Sequence, residues 1–170
     1  MRCKVGYIAI AMGGCNGSCP AEVTSLVDPS WWSEVDVDQD PFADRPETVD
    51  CPRAAWIVET DPQPSLEVDT GLCTYLLVDQ PSLERVCAGQ DIEVEFAHGA
   101  LVADEPAMAH IAVLVGDLTV VDEEVAIPAD ARRMTVDHAI QQGVPITVHL
   151  HNHGDNSWNI TDITSVGGAL

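Results

Sequence analysis

Asp91-Ile92-Glu93-Val94-Glu95-Phe96 alternates without a break between acidic and apolar side chains. Successive side chains of an extended chain point to opposite faces, so Ile92, Val94 and Phe96 share one face while Glu93 and Glu95 share the other. This is the pattern of a strand with one side on a core and the other in water. The turn residues Ala88-Gly89-Gln90 lead into it. Downstream, Met108 to Val115 is almost continuously apolar and reads as a strand buried on both faces. Gly116-Asp117 then turns into a run from Leu118 to Ile127, followed by Met134 to His138, Val144 to Leu150 and Trp158 to Val166. Upstream, Ala55 to Thr60, Ser65 to Asp69 and Thr74 to Asp79 are short strand-like runs, the last ending at a Pro81 turn. About nine short strands, with no amphipathic helix longer than two turns, predict an all-β fold, an antiparallel β-sandwich.

The turn Ala88-Gly89-Gln90-Asp91 and the ending Val148-His149-Leu150-His151-Asn152-His153-Gly154 resemble jelly-roll modules of exported bacterial proteins. The resemblance covers the last two thirds of the chain and implies a sandwich of about eight or nine strands. The expected domain is residues 51–170.

The N-terminus reads as an address. Met1-Arg2-Cys3-Lys4 supplies two cations, Val5 to Met12 is apolar, and Gly13-Gly14-Cys15 closes the run with small residues and a thiol. The apolar run is too short to span a bilayer, which takes roughly 20 residues. This arrangement resembles the lipobox of bacterial lipoproteins, although Met12 stands where leucine is usual and Gly13 where alanine or serine is commoner. The resemblance implies that residues 1–14 are a signal peptide, that Cys15 is lipidated, and that the lipid anchors the chain in the periplasm, at the outer membrane or at the cell surface.

Charge narrows the partners. The chain's net charge is −21, and removing residues 1–14 takes Arg2 and Lys4 but no acid, leaving −23. Five arginines and no lysine then remain. Such a surface repels phosphate backbones, so nucleic acid is excluded as a partner. Cations and positively charged partners are favoured. Residues 15–50 hold Pro20, Pro29, Pro41 and Pro46, many acids and no periodicity, and read as an extended tether. Trp31-Trp32 is its exception and is expected to dock onto the domain. With Cys3 removed and Cys15 lipidated, Cys19, Cys51, Cys73 and Cys87 remain for disulfides in an oxidising compartment. Cys51–Cys73 is favoured, with Cys19–Cys87 as the second pair.

Three histidines fall within five residues: His149-Leu150-His151-Asn152-His153. Ile146, Val148 and Leu150 occupy one strand face, placing His149 and His151 on the opposite one with Thr147. Same-face neighbours lie about 6.6 Å apart along a strand, near enough for both imidazoles to reach one ion at about 2.0–2.1 Å. His153, His98 or His110 would complete a set for zinc or copper. The competing reading is a polar strand whose histidines bond to Asn152, Asn156 and backbone. His138 stands apart. The wording of 149–156 resembles the copper strand of copper/zinc superoxide dismutase, which implies copper ligation by His149 and His151. That family needs further histidines downstream, whereas only 17 residues follow His153 and none is histidine, so dismutase activity is not expected.

Asp36, Asp38, Asp40, Asp44 and Glu47 fall at positions 1, 3, 5, 9 and 12 of a twelve-residue loop, the ligand spacing of a calcium loop. The run resembles EF-hand and thrombospondin-type-3 loops. Pro41 holds the position that needs glycine, and its fixed φ opposes the sharp turn. A solvated acidic tether is the preferred reading.

No Gly-x-Ser-x-Gly elbow, P-loop, Gly-x-Gly-x-x-Gly or His-Glu-x-x-His occurs. The chain is therefore expected to be a non-enzymatic binding or surface-interaction module with a protein or carbohydrate partner. The alternatives are a zinc or copper protein, and a carbohydrate-binding module with Trp56, Trp158 and Tyr75 as a stacking platform.

Overall fold

The structure, a computed structural model, describes residues 22–59, 64–99, 102, 108–125, 132–135 (backbone) and 139–167. The expected signal and lipidation residues 1–15, Cys19 and His138 lie outside the described residues. The described chain is all-β, in two antiparallel sheets.

Each of the nine expected strands has a counterpart: β3 (Trp56–Glu59), β4 (Ser65–Asp69), β5 (Tyr75–Pro81), β6 (Asp91–His98), β7 (Ala109–Val115), β8 (Leu118–Val125), β9 (Arg132–Thr135, overlapping the expected Met134 to His138 only at 134–135, since 136–138 lie outside the described residues), β10 (Pro145–Asn152) and β11 (Ser157–Val166). Two short strands, β1 (Thr24–Ser25) and β2 (Ser33–Glu34), were not anticipated. One sheet runs β3-β4-β11-β6-β9, with β1 beside the far end of β11; the other runs β2-β5-β10-β7-β8. Counting β4 to β11 as one to eight, the sheets read 1-8-3-6 and 2-7-4-5, the double Greek key of a jelly roll.

Period-two patterning builds the core. Ile92, Val94 and Phe96 face inward from β6, meeting Ile111, Val113 and Val115 of β7 and Ile146, Val148 and Leu150 of β10. Full burial of one such side chain is worth about 1.5–3 kcal/mol. Trp158 stacks on Phe96 at 5.9 Å and donates its indole N–H to Asn152 Oδ1 at 3.4 Å. Trp56, Trp158 and Tyr75 are 1%, 0% and 2% exposed. The expected sugar-stacking platform is therefore not available to solvent: two of these rings are core, and the third lies under a strap of chain.

That strap belongs to the segment read as a tether, which lies against the sandwich from β1 onward. Leu26 donates its backbone N–H to Ile163 O and is fully buried. Asp28 N–H bonds Gln80 Oε1, carrying the chain from one sheet to the other. Trp32 is buried there, as the docking reading expected, while Trp31 is 52% exposed. After β2 pairs with β5, residues 35–50 cross the outer face of the five-stranded sheet. Cys51 then bonds to Cys73, just ahead of β5. Cys87 is also disulfide-bonded.

The strap has a physical cause visible in β5. Tyr75, Leu76, Leu77 and Val78 are all buried, so both faces of this strand are covered. Leu76 and Val78 belong to the core, leaving Tyr75 and Leu77 on the outer face, where exposed apolar area would be costly.

Candidate metal centre

The register places three histidines together on that outer face. β10 pairs with β7 so that His151 lies opposite His110 and His149 opposite Ala112, making His149 and His110 diagonal neighbours. β10 also pairs with β5, setting Tyr75 opposite His151 and Leu77 opposite His149. The strap lays Phe42 flat on His149, ring centroids 4.1 Å apart, and His149 is fully buried.

Asp44, also from the strap, supplies the carboxylate. Its Oδ2 lies 2.8 Å from His110 Nδ1, 3.3 Å from His149 Nε2 and 3.0 Å from His151 Nδ1. His110 Nδ1 and His149 Nε2 are 3.1 Å apart. Donor atoms of Asp44, His110 and His149 all lie within 4.8 Å of one another. His151 approaches Asp44 from outside this triangle and donates Nδ1–H to it. On the far side of His110, Nε2–H donates to Asp122 Oδ1 at 2.8 Å. A carboxylate on the outer nitrogen fixes the ring's orientation and raises its basicity, as is usual for metal-ligating histidines.

The electrostatics divide the triangle into three roles. Burial pushes His149 down to about 4, outweighing the nearby Asp44 charge, so its imidazole is neutral at pH 7. Burial also opposes the charging of His110, but hydrogen bonds to Asp44 and Asp122 prevail and raise its pKa. Burial likewise opposes ionisation of Asp44, yet the bonds from His110 and His151 pull it well below the usual carboxylate range. Beside them Tyr75 is held up by burial and by donating its hydroxyl to Asp40 at 2.6 Å. Arg45 bonds the same Asp40 oxygen at 2.8 Å.

While Asp44 is ionised, every placement of protons leaves one edge of the triangle unfavourable. Protons on His110 Nδ1 and His149 Nε2 can both point at Asp44, but the two N–H groups then face each other at 3.1 Å. Removing either proton sets a nitrogen lone pair against the carboxylate oxygen. One cation among the three atoms satisfies every edge. With ligand bonds of about 2.0–2.1 Å, donors sit about 2.9 Å apart at a right angle and about 3.4 Å apart at the tetrahedral angle. The observed edges of 2.8, 3.1 and 3.3 Å span that window. Asp44 Oδ1 is buried and has no hydrogen-bond partner among the described residues, so a second lone-pair donor stands beside the first.

Two of the expected candidates, His98 and His153, separate from this group. His98 lies on β6, in the other sheet, where it stacks on Trp158 at 4.4 Å and bonds Gly99 O; it is not part of the centre. His153 is exposed past the end of β10, its ring 4.3 Å from that of His151, and is not a member of the triangle. Asn152 points into the core and Asn156 bonds Thr70 and Gly99 O, so neither serves the histidines. The expected calcium set also disperses. Asp36 is exposed ahead of the short turn Val37–Gln39 and makes no side-chain capping bond to it, Asp38 and Glu47 are exposed, Asp40 binds Tyr75 and Arg45, and Asp44 goes to the imidazoles. Asp44 was thus legible as a metal-type donor, but with the wrong companions. Asp122 and Phe42 were missed. The Gly116-Asp117 hairpin was a usable signal for Asp122, because it returns β8 alongside His110. No local pattern pointed to Phe42.

Compared with known protein families and with curated protein sequences, the chain matches none.

Proposed function

We propose that this chain is an exported, lipid-anchored, non-enzymatic binding module whose ligand is a divalent transition-metal ion, zinc or copper. The observation that carries the reading is the Asp44–His110–His149 triangle, in which protons leave one edge unfavourable while Asp44 is ionised and one cation satisfies all three. Imidazole and carboxylate donors suit these ions. His149 supplies a lone pair at neutral pH without losing a proton. His110 exchanges a proton for the ion, Asp44 neutralises part of its charge, and His151 and Asp122 hold the ligands in place. Asp44 and His110 are partly exposed, giving an entry path from solvent. The N-terminal address and the Cys51–Cys73 disulfide support export.

The test is elemental analysis for zinc, copper and iron on protein made without a histidine tag, beside His149→Ala and Asp44→Asn. About one ion per chain is expected in the parent, with losses in both variants. Equal, substoichiometric metal in all three would overturn the reading. Calorimetry in buffers of different ionisation enthalpy is expected to show proton release near pH 7, from His110.

A further inference from the structure

We propose that the ion is the clasp of the strap: its binding fixes residues 35–50 over the outer face of the five-stranded sheet, and its loss frees them. The inference rests on the metal reading and adds regulation to it.

The strap is tied at both ends and loose between. Val35 donates its backbone N–H to Leu77 O at 3.1 Å, and Asp50 O accepts from Thr74 N–H at 3.0 Å beside the Cys51–Cys73 bond. Among the described residues, no backbone hydrogen bond joins residues 36–49 to either sheet. The span hangs on side chains alone: Asp40 on Tyr75, Phe42 on His149, and Asp44 on the three histidines. Segments held this way sit at the low-stability end of a protein and open locally.

Charge sharpens the point. Residues 36–50 carry six acids (Asp36, Asp38, Asp40, Asp44, Glu47 and Asp50) against one cation, Arg45, in a chain of net charge −21. Such a strap carries the same sign of charge as the chain as a whole. His110 and His149 stand on β7 and β10, paired strands inside the sheet, while the third donor arrives on the strap. An ion shared among them couples the two parts. Linkage makes the coupling reciprocal: the factor by which the ion favours the closed strap is the factor by which closing the strap raises affinity for the ion.

Hydrogen exchange on the full chain, with and without zinc, tests this alongside calorimetric titration of the same samples. Zinc is expected to slow exchange across residues 36–49 by a factor on the order of 5–150, with the core strands β6 and β10 unchanged as a control on folding. Asp44→Asn is expected to bind zinc more weakly by a similar factor and to lose the slowing. If zinc binds and exchange over 36–49 does not change, the clasp is overturned while the metal reading stands. If neither zinc nor copper, titrated in the same way, binds, both fall. Retained slowing in folded Asp44→Asn, or the same slowing with magnesium at equal concentration, would also overturn the clasp, since neither needs a carboxylate–imidazole site.

Discussion

The two sheets share one core but treat their outer faces differently. On the six-stranded sheet, β6 alternates strictly, with Ile92, Val94 and Phe96 inward and Glu95 in water. On the five-stranded sheet, β5 is apolar on both faces and β10 carries a fully buried histidine on its outer one. The first face needs only solvent. The second needs cover, and the covering strap brings the carboxylate that completes the centre. A face that patterning leaves unfinished is where this molecule builds its chemistry.

The contrast can be broken most strongly at the strap's covalent end. Replacing Cys51 and Cys73 by serine opens a bridge of sequence separation 22 and is expected to lower stability by about 3 kcal/mol, measured by denaturant unfolding. The strap should loosen while β6 and β10 stay ordered.

Acid comes next. In metal-free protein, His149 titrates near 4 when folded and near its ordinary 6.5 when unfolded. Between those values the unfolded chain binds the extra proton, so stability falls as pH drops from 6.5 to 4. At about 1.4 kcal/mol per unit, the ceiling is about 3 kcal/mol. His110 does not contribute in this window, because its raised folded pKa keeps its share of stability fully present below 6.5. Asp44, held low, loses its share only below the ordinary carboxylate range. The slope should flatten in His149→Gln; an unchanged slope would place the titration elsewhere.

A smaller effect is expected from Asp122→Asn. It removes the carboxylate behind His110 without touching the triangle, so ion affinity should drop about 10–100-fold with the fold intact. The smallest belongs to the open face: Glu95→Gln is expected to change stability by no more than about 0.5 kcal/mol. A large loss there would erase the contrast between the two faces.

The legibility of the sequence follows the same division. The nine long strands were readable because each carries its own period or turn signal: Glu93/Glu95 against Ile92/Val94/Phe96, Gly116 at its φ of 59° in the β7–β8 turn, Pro81 at the end of β5. β1 and β2 were not, being two residues each and held by partners far away in sequence. The shared face of His149 and His151 was visible as well, since it follows from period two. That His110 joins them and His98 does not was invisible, because it depends on which strand β10 pairs with.

Sequence alone determined the all-β fold, the core faces and a pair of histidines side by side, all of which rest on local periodicity, and it favoured the Cys51–Cys73 bond that the structure then showed. Only the tertiary structure decided that residues 35–50 lie on the sandwich, that Asp44 leaves its acidic neighbours for three imidazoles, and that Trp56, Trp158 and Tyr75 are hidden. The physical reason is that these outcomes depend on what covers the outer face of β5 and β10. A one-dimensional pattern can show that such a face requires cover; it cannot show which segment supplies it.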